Sequence, residues 1–312
     1  MAPMEGITNF IFRNAYHAYF HPMDKYFTPF ISAKPGKHLS VKEIREVSPE
    51  TNAGLAVVPQ ILTNHAEDFL ETARIFKEYG HHEVNLNLGC PSGTVTAKGK
   101  GSGFLKDPEE LDRFLDRICE GLEREQMNLS IKTRIGTTDE EDWEELMEIY
   151  NHYPLTELIV HPRIQKDYYK GEIRLHAFEQ AVSTVRAPLC YNGDLFTVQD
   201  YQNIGEQFPE TERFMYGRGL ITNPGLLNEI RDGQKPDKKM FRNFHDKIYH
   251  DYQELLHDER NVLFRMKELW SYFSVSFRNS AKYIKKIKKA THYSEYQAAV
   301  SGLFAEQEEF LA

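Results

Sequence analysis

One cysteine stands where catalytic chemistry is easiest to place in this sequence. Residues 85–91 read Asn-Leu-Asn-Leu-Gly-Cys-Pro, an alternating strand pattern that ends in a Gly-Cys-Pro turn. A glycine- and lysine-rich loop follows, and it includes Lys98, Lys100 and Gly103. Because glycine lets the backbone bend close to a ligand, Cys90 at the mouth of a strand could donate a proton to a substrate or attack it.

Polar side chains also follow most of the other β-like runs. These residues are Gln60, Asn87, Lys132, His161, Asn192, Asp194 and Arg218, with Gly193 and Gly217 in the last two turns. In a barrel of parallel strands, the carboxyl ends face the active site, and the turns after the last two strands often hold a phosphate. Each residue alone is more often a paired surface residue or part of a common turn. Their coincidence predicts a site for a phosphorylated, hydrogen-bonding cofactor.

Eight short β-like runs position these residues. They end near Met4, Ile31, Gln60, Asn87, Lys132, His161, Asn192 and Gly217. Successive ends lie 25 to 45 residues apart, about the length that one strand, one helix and two loops require. This spacing predicts an α/β fold with a (β/α)8 TIM barrel, although the first strand has almost no room before Met4. The longest gap contains the Gly-Cys-Pro loop, as an enlarged catalytic loop would.

Three stretches between these runs show helix signals. Asn64 is predicted to cap a helix with one apolar face. The residues of that face are Phe69, Ala73 and Phe76. Asp107 is a second N-cap candidate, because Pro108 follows it at the first helical position. A third helix is predicted to begin near Thr138.

After Asn228 the strand pattern stops and helical stripes replace it. We predict a catalytic barrel over 1–230, a linker over 231–239 and a small all-helical domain over 240–312. The chain has a net charge of −9, yet the segment from Val262 to His292 has eight Lys and Arg residues against one Glu, a net of +7. Such asymmetry is a sign of nucleic-acid contact, although most charge runs are solvated helix faces.

Composition argues against several other classes of protein. Charged residues make up 27% of the 312 residues, mean hydropathy is −0.58, and no apolar run approaches the roughly 20 residues of a membrane span. Glu5 and Arg13 interrupt the first apolar stretch, which argues against a secretory signal. Cys90, Cys119 and Cys190 form no C-x-x-C pair. We therefore expect a reducing cytoplasm and no zinc or iron–sulfur site.

The sequence resembles the tRNA-dihydrouridine synthases over nearly its whole length. The most specific match is the Gly-Cys-Pro block with the following run Gly101–Leu105, whereas the glycine turns alone are weak signals. The other matching segments are Ala2–Gly6, Val58–Gln60, Ile131–Arg134, His161–Arg163, Asn192–Asp194 and Gly217–Gly219. The resemblance implies an FMN-bearing barrel, NADPH as the reductant and a C-terminal helical domain that helps to hold tRNA.

The same resemblance implies a role for each matching residue. Gln60 and Lys132 would contact the pyrimidine side of the flavin, and Asn87 would lie beside the target base, with Cys90 as the acid. The residues implied along the flavin ring are Pro3, Met4 and Glu5. Those implied around the ribityl chain and phosphate are His161, Asn192, Gly193, Asp194, Gly217 and Arg218.

Contacts with tRNA are predicted from Arg163, from Lys98 and Lys100 on the loop, and from the basic C-terminal segment. The residues assigned in that segment are Arg265, Lys267, Arg278, Lys282, Lys285, Lys286 and Lys289. The sequence departs from the family pattern at two positions. Asn85 stands where an acidic residue is frequent, and Ile164 stands where threonine is usual.

The chemistry of uracil indicates how such a site would work. The C5–C6 double bond is conjugated to a carbonyl, so C6 accepts a hydride and C5 then needs a proton. We expect reduced FMN to supply the hydride and Cys90, on the opposite face of the base, to supply the proton. We also expect the protein to be a monomer.

Two other functions stay open at this point. The first is another FMN barrel oxidoreductase, similar to dihydroorotate dehydrogenase, that acts on a free pyrimidine. It would share the phosphate turns and Lys132 but would not need a basic helical appendage. The second is a non-catalytic RNA-binding protein built on an inactive barrel, with which the fold alone is compatible. The sequence does not fix which uridine of tRNA is reduced.

Overall fold

The computed structural model describes residues 1–36, 38–278 and 280–306, so the last residues of the predicted helical domain, 307–312, lie outside the described part. The strands are β1 (Tyr26–Phe27), β2 (Ile31–Ser32), β3 (Val57–Val58), β4 (Gln60–Leu62), β5 (Glu83–Leu88), β6 (Asn128–Arg134), β7 (Leu155–His161), β8 (Leu189–Tyr191) and β9 (Arg213–Phe214). The helices are α1 (Phe10–Tyr19), α2 (Val41–Val47), α3 (Ala66–Glu78), α4 (Gly93–Thr96), α5 (Pro108–Arg124), α6 (Trp143–Asn151), α7 (Leu175–Thr184), α8 (Val198–Gln207), α9 (Arg218–Thr222), α10 (Leu226–Asp232), α11 (Lys238–Leu256), α12 (Glu259–Phe273), α13 (Ala281–Lys289) and α14 (Tyr293–Glu306).

All strand pairs are parallel and follow chain order. One sheet has the order β2-β4-β5-β6-β7-β8-β9, and β1 pairs with β3. Pro29 lies between β1 and β2, and Pro59 lies between β3 and β4. Because proline cannot donate a ladder hydrogen bond, each of these pairs is one strand with a local interruption. The described chain therefore forms seven consecutive parallel strands, one fewer than the eight that the sequence predicts.

The sheet curls around a common interior. Ala2, Phe27, Val58, Ile159, Cys190 and Met215 form one buried cluster. Phe27 belongs to the first strand, and Met215 directly follows the last one, so the two ends of the strand order approach each other around these side chains. This closure is the feature that distinguishes a barrel from an open sheet.

The predicted first strand, ending near Met4, is not formed as a strand. The Met1 carbonyl accepts a hydrogen bond from the Phe27 amide (3.2 Å), so the chain start lies beside β1. Pro3 has no N–H with which to extend that pairing. The backbone then turns at Met4, whose carbonyl accepts two N–H groups of the next turn at 3.0 Å each.

The predicted helices are present, but two of them begin later than the sequence indicated. Asp107 caps α5 as predicted, because its carboxylate accepts the N–H of the third helical residue (3.0 Å). The residue before α3 is His65 rather than Asn64. The Asn64 side chain donates instead to a carbonyl of the lysine-rich loop (3.2 Å). α6 begins at Trp143 and not near Thr138.

The chain divides into two compact units. The first comprises Met1–Pro3, Lys25–Gly193 and Asn203–Met215, and it contains every strand of the described residues. The second comprises Met4–Asp24, Asp194–Gln202 and Tyr216–Ala312, described as far as residue 306. The predicted boundaries of a barrel, a linker and a helical domain stay predictions about which segments fold and function together.

The second unit has an aromatic core. The Phe12 ring of α1 meets the Phe244 ring of α11 edge to face, with centroids 5.5 Å apart. Trp270 of α12 donates its indole N–H to the Tyr296 hydroxyl (2.8 Å), so the two largest polar-tipped rings are satisfied within the core. Among the described residues, no helix combines the length and apolar character that crossing a bilayer requires.

Candidate active site

The strand register of the first unit places the predicted polar residues side by side. Gln60 is opposite Asn85, and Asn87 is opposite Lys132. Residues two apart on a strand share a face, and parallel partners in register point to the same side. These four side chains therefore lie on one face of the sheet near the carboxyl ends of β4, β5 and β6.

Asn87 fastens the Gly-Cys-Pro turn to this face. Its carboxamide oxygen accepts the backbone N–H groups of Gly89 (3.1 Å) and Cys90 (2.9 Å). Its carboxamide nitrogen donates to the Gln60 side-chain oxygen (2.7 Å), and Asn87 is buried. The position of the Cys90 thiol is therefore set by a side chain of the preceding strand and not by the turn alone.

The chain returns to Cys90 after the lysine-rich loop and holds it from the other side. The Cys90 carbonyl accepts hydrogen bonds from the Ser102 amide (3.1 Å) and the Ser102 hydroxyl (2.9 Å). Gly101 has a φ of +59°, and a Cβ added there would lie 2.7 Å from the Cys90 carbonyl oxygen. The close return therefore requires glycine at position 101.

The Gly101→Ala variant is expected to lose about 1–2 kcal/mol of unfolding free energy, because alanine is strained at this φ and its methyl group overlaps the Cys90 carbonyl. Denaturant titration measures the loss. Gly93→Ala in the same loop is the matched control, since its added Cβ would meet no atom within 4 Å. Equal stability of the two variants would show that the close return imposes no constraint.

Lys132 carries the most perturbed amine of the site. Burial, reinforced by the nearby Arg134 guanidinium, lowers its pKa to about 7. The ammonium lies within electrostatic reach of the Cys90 and Cys190 thiols. It has no hydrogen-bond acceptor or carboxylate partner in the described part of the chain, and its side chain keeps some exposure. An amine so placed fits an electron-rich group such as the pyrimidine edge of a flavin.

Arg134 is a site residue whose individual role was not predicted from the sequence. Its guanidinium donates to the carbonyls of Gly89 (2.9 Å), Ile164 (2.8 Å) and Tyr168 (2.5 Å), and it lies 5.4 Å from the centroid of the Tyr169 ring. The residue is fully buried. It joins the Cys90 turn to the loop that follows β7. Its presence in the matching segment Ile131–Arg134 was the only sequence signal.

His161 and Arg163 form a buried pair after β7. Arg163 donates from Nη1 to His161 Nε2 (3.1 Å) and from Nε to the Gly171 carbonyl (2.7 Å). Since a guanidinium only donates, Nε2 of His161 accepts and Nδ1 carries the proton. The His161 ring stacks on Tyr169 with centroids 6.4 Å apart. Arg163, predicted to contact tRNA, is buried and supports His161.

Asn192 follows β8 directly and connects it to the next strand of the first unit. Its side chain donates to the Met215 carbonyl (2.7 Å), which joins the end of β8 to the residue after β9. Gly193 follows, and a Cβ added there would lie 2.9 Å from the Ile173 side chain and 3.1 Å from the Tyr191 hydroxyl.

The remaining predicted cofactor residues, apart from Pro3, belong to the second unit. Arg218 forms an ion pair with Asp194 and lies 5.5 Å from the Phe196 ring centroid. Gly217 precedes α9 directly. Met4 is half-buried, and Glu5 is exposed.

The two predicted loop lysines differ in environment. Lys98 is exposed, whereas Lys100 is half-buried and lines a cavity of about 330 Å³ together with Lys34, His65 and Asp68. Burial lowers the pKa of Lys100; the Asp68 carboxylate opposes that shift, and the charges of Lys98 and Lys34 add to it. Lysines and carboxylates therefore share the lining of this cavity.

The C-terminal lysines form a distinct surface in the second unit. Tyr283, Ile284 and Ile287 of α13 are buried, which leaves the lysines of the helix exposed. We name four of them the basic face: Lys285, Lys286, Lys288 and Lys289. Three of these, all but Lys286, line an open groove of about 740 Å³ that also includes Ser274 and Ser280. Lys288 was counted in the charge of the segment but was not assigned to tRNA.

Three other predicted RNA-contacting cations have partners within the protein. Lys267 donates to the Ala290 carbonyl, Arg265 pairs with Glu268 (3.2 Å), and Lys282 pairs with Glu306 (2.6 Å). Arg278 is exposed. The basic face is therefore a better candidate for phosphate contact than the full set of seven cations.

The other two cysteines are poor acids. Burial raises the pKa of the Cys119 thiol to about 12, and it raises the pKa of the fully enclosed Cys190 further. All three cysteines are free thiols. Within the described ranges, no group of three or more His, Cys, Asp or Glu side chains is placed to hold a metal ion.

Comparison with known proteins agrees with these features. The family model of dihydrouridine synthase (Dus) matches residues 1–311. A probable tRNA-dihydrouridine synthase of Staphylococcus epidermidis is 28% identical over 231 residues, which cover 72% of this chain and 69% of that protein. One from Staphylococcus aureus is 25% identical over 286 residues, covering 89% and 83%. Probable tRNA-dihydrouridine synthase 2 of Bacillus subtilis is 28% identical over 233 residues, covering 72% and 69%.

Solved structures agree at the level of the fold. A variant of NCR, the old yellow enzyme homologue from Zymomonas mobilis, superposes with a TM-score of 0.53 at 12% identity over 78% of this chain and 89% of that one. Histamine dehydrogenase from Rhizobium sp. 4-9 gives 0.55 at 11% identity over 75% and 45%. The predicted TIM barrel followed by C-terminal helices is confirmed. With the family model matched along nearly its whole length, the chain belongs to the dihydrouridine synthase family, a family of flavin-dependent oxidoreductases.

Proposed function

We propose that this protein reduces a uridine of tRNA to dihydrouridine, with FMN as the cofactor, NADPH as the reductant and Cys90 as the proton donor. The observation that carries the proposal is the placement of Cys90. Asn87 and Ser102 hold its backbone from two sides, on the face of the sheet that also carries Lys132. A thiol on a fixed backbone and a buried amine are the two groups that this reduction needs from the protein.

FMN fits the residues of the first unit. Lys132 would stabilise negative charge on the flavin. The resemblance assigns Gln60, His161 and Asn192 to the same cofactor, and these side chains supply two amides and an imidazole near the strand ends. When bound and reduced, the flavin supplies the hydride that adds to C6 of uracil. The resemblance also assigns further residues to the cofactor, and they are part of this proposal: Pro3, Met4, Glu5, Gly193, Asp194, Gly217 and Arg218.

Cys90 supplies the proton that completes the reduction. Hydride addition at C6 leaves an electron pair shared between C5 and the adjacent carbonyl. The Cys90 Sγ–H bond breaks as a C–H bond forms at C5, and the resulting thiolate is reprotonated from solvent. General-acid catalysis of this kind contributes roughly 10²–10⁴-fold to a rate.

The RNA partner follows from the same reasoning. A base within folded RNA must be turned out of its stack to reach a half-buried thiol, which costs a few kcal/mol. Backbone contacts must offset this cost, and the basic face supplies exposed cations for them. The relatives described above are named as probable tRNA-dihydrouridine synthases, which supports tRNA as the substrate.

Cofactor affinity should depend on pH through Lys132. With its pKa at about 7, the amine is largely charged below pH 7 and largely neutral above it. Binding of the reduced flavin anion above pH 7 must then take up a proton, so affinity for reduced FMN should fall by up to about tenfold for each pH unit above about pH 7, whereas affinity for the neutral oxidised ring should not. The reduction potential of bound FMN, measured against pH, reports this difference. The Lys132→Met variant should bind more weakly at pH 7 and lack the slope; an unchanged slope would assign it to another group.

The decisive test of the proposed function compares RNA with free pyrimidines. FMN-loaded protein is reduced with NADPH and mixed with unmodified tRNA, and nucleoside mass spectrometry then measures the addition of two hydrogens to uridine. Free uridine and orotate are parallel substrates. Turnover of a free pyrimidine alone would favour the small-molecule oxidoreductase. RNA binding without any flavin uptake would favour the non-catalytic RNA-binding protein.

A further inference from the structure

The amide side chains behind the Cys90 turn form one continuous hydrogen-bond chain. Asn87 donates to Gln60 (2.7 Å), Gln60 donates to Asn85 (2.7 Å), and Asn85 donates to the Ser130 hydroxyl (2.9 Å). We name these four residues the relay: Asn87, Gln60, Asn85 and Ser130. The relay crosses three neighbouring strands, β4, β5 and β6.

Two backbone groups fix the direction of the whole relay. The N–H groups of Gly89 and Cys90 can only donate, so Asn87 must present its oxygen to them. Its nitrogen then faces Gln60, which must present its own oxygen. Gln60 therefore turns its nitrogen to Asn85, and the same logic aims the Asn85 nitrogen at Ser130. Every amide orientation follows from the position of the Cys90 turn.

Burial makes this order strict. Gln60, Asn85 and Ser130 are each 0% exposed, and Asn87 is 6% exposed. Hydrogen bonds in such surroundings polarise one another, and an unpaired amide there is costly. A reversed amide anywhere in the relay would set donor against donor or acceptor against acceptor at the next contact. The amide orientations are therefore coupled in both directions, so that a substitution at Ser130 also affects the orientation of Asn87.

We propose that Asn85 and Ser130 are positioning residues for Cys90, acting through Gln60 and Asn87 without contacting the substrate. This inference rests on the proposed function for its catalytic meaning. The relay holds the backbone N–H of Cys90, and so it limits how far the thiol can move from the position required for proton transfer. Without the far end of the relay, Gln60 and Asn87 can reorient, and the turn loses its fixed anchor.

The identity of residue 85 makes the proposal testable. A carboxylate at position 85 would still accept from Gln60, while Ser130 would donate to its second oxygen. Asn85→Asp therefore keeps the orientation of Gln60 and Asn87. Asn85→Leu removes both contacts, and Ser130→Ala removes the acceptor of the last hydrogen bond.

The first measurement is the rate at which iodoacetamide alkylates Cys90 in the FMN-loaded protein, followed by mass spectrometry of the Cys90 peptide. Ser130→Ala should raise this rate about fivefold, the effect of losing one buried hydrogen bond, and Asn85→Leu, which loses two, should raise it at least as much. Asn85→Asp should stay within about twofold of the native protein. Thr72→Val removes another buried hydroxyl, which bonds only to a carbonyl of its own helix, and it should leave the rate unchanged.

The second measurement is turnover with tRNA. Asn85→Leu and Ser130→Ala should lower kcat about fivefold with little change in KM, because the basic face is untouched. Asn85→Asp should keep the native alkylation rate, even if its added charge alters turnover. Native alkylation rates in folded Ser130→Ala protein, or equal rates in Asn85→Asp and Asn85→Leu, would overturn the proposal. Alkylation needs no RNA, so this outcome is separate from any failure of the proposed function.

Discussion

The Cys90→Ala protein is expected to stay yellow and to oxidise NADPH, yet to form dihydrouridine roughly 10²–10⁴ times more slowly. The reason is that hydride addition to C6 becomes productive only when C5 receives a proton, and Cys90 carries its thiol on the turn that Asn87 holds at the end of β5. Stopped-flow spectroscopy separates the two half-reactions, since the flavin loses colour with NADPH and regains it with tRNA. Only the second half-reaction should slow.

Cys119→Ala is the matched control for this experiment. Cys119 lies on α5, and burial raises the pKa of its thiol, which suits a structural residue. Its replacement should leave both half-reactions intact. Normal dihydrouridine formation by the Cys90→Ala protein would remove the thiol from the mechanism, and solvent or another side chain would then be the acid.

Replacement of the four lysines of the basic face by glutamine is expected to flatten the salt dependence of tRNA binding. Each phosphate contact that is lost removes about 0.7–0.9 from the slope of log affinity against log salt. Loss of four contacts should therefore lower the slope by about 3. The native protein should lose roughly 100-fold more affinity than the variant between about 50 and 200 mM salt. Filter binding or fluorescence anisotropy at several salt concentrations measures both slopes.

A control variant replaces four exposed cations on helices of the first unit. These are Lys42, Lys77, Lys106 and Arg124. It removes the same net charge but leaves the basic face intact, so its slope should match that of the native protein. If the two variants shift the slope equally, net charge governs binding, and the basic face is only a solvated helix surface.

Most strand ends could be predicted from the sequence because buried parallel strands are short apolar runs that stop at polar or glycine-bearing turns. The prediction failed at Met4 because strand formation depends on a partner. Pro3 cannot donate to the ladder, and the hydrogen bond from Phe27 to the Met1 carbonyl is not continued into a strand. The N-cap of α3 shifted from Asn64 to His65, because the Asn64 side chain donates to the Lys98 carbonyl instead of capping the helix. The Thr138 hydroxyl donates to the neighbouring Asp139 carboxylate, and α6 begins only at Trp143.

The candidate site was less predictable than the fold. Motif residues such as Asn87, Cys90 and Lys132 came together because the register brings strand ends together. The contacts of Arg134 with two separate loops could not be read from the sequence, since their partners are backbone carbonyls. Charge counting also could not show that Lys282 pairs with Glu306, because this carboxylate lies on a different helix.

The guanidinium of Arg134 has a mechanical consequence. Its three carbonyl partners lie on two loops, at Gly89 on one side and at Ile164 and Tyr168 on the other. Hydrogen bonds to a charged group contribute about 1.5–3 kcal/mol each, so separating the loops would be costly. We therefore expect the two loops to move together and not independently. A lysine could not replace Arg134, because its compact ammonium group lacks the planar guanidinium geometry that reaches all three carbonyl oxygens.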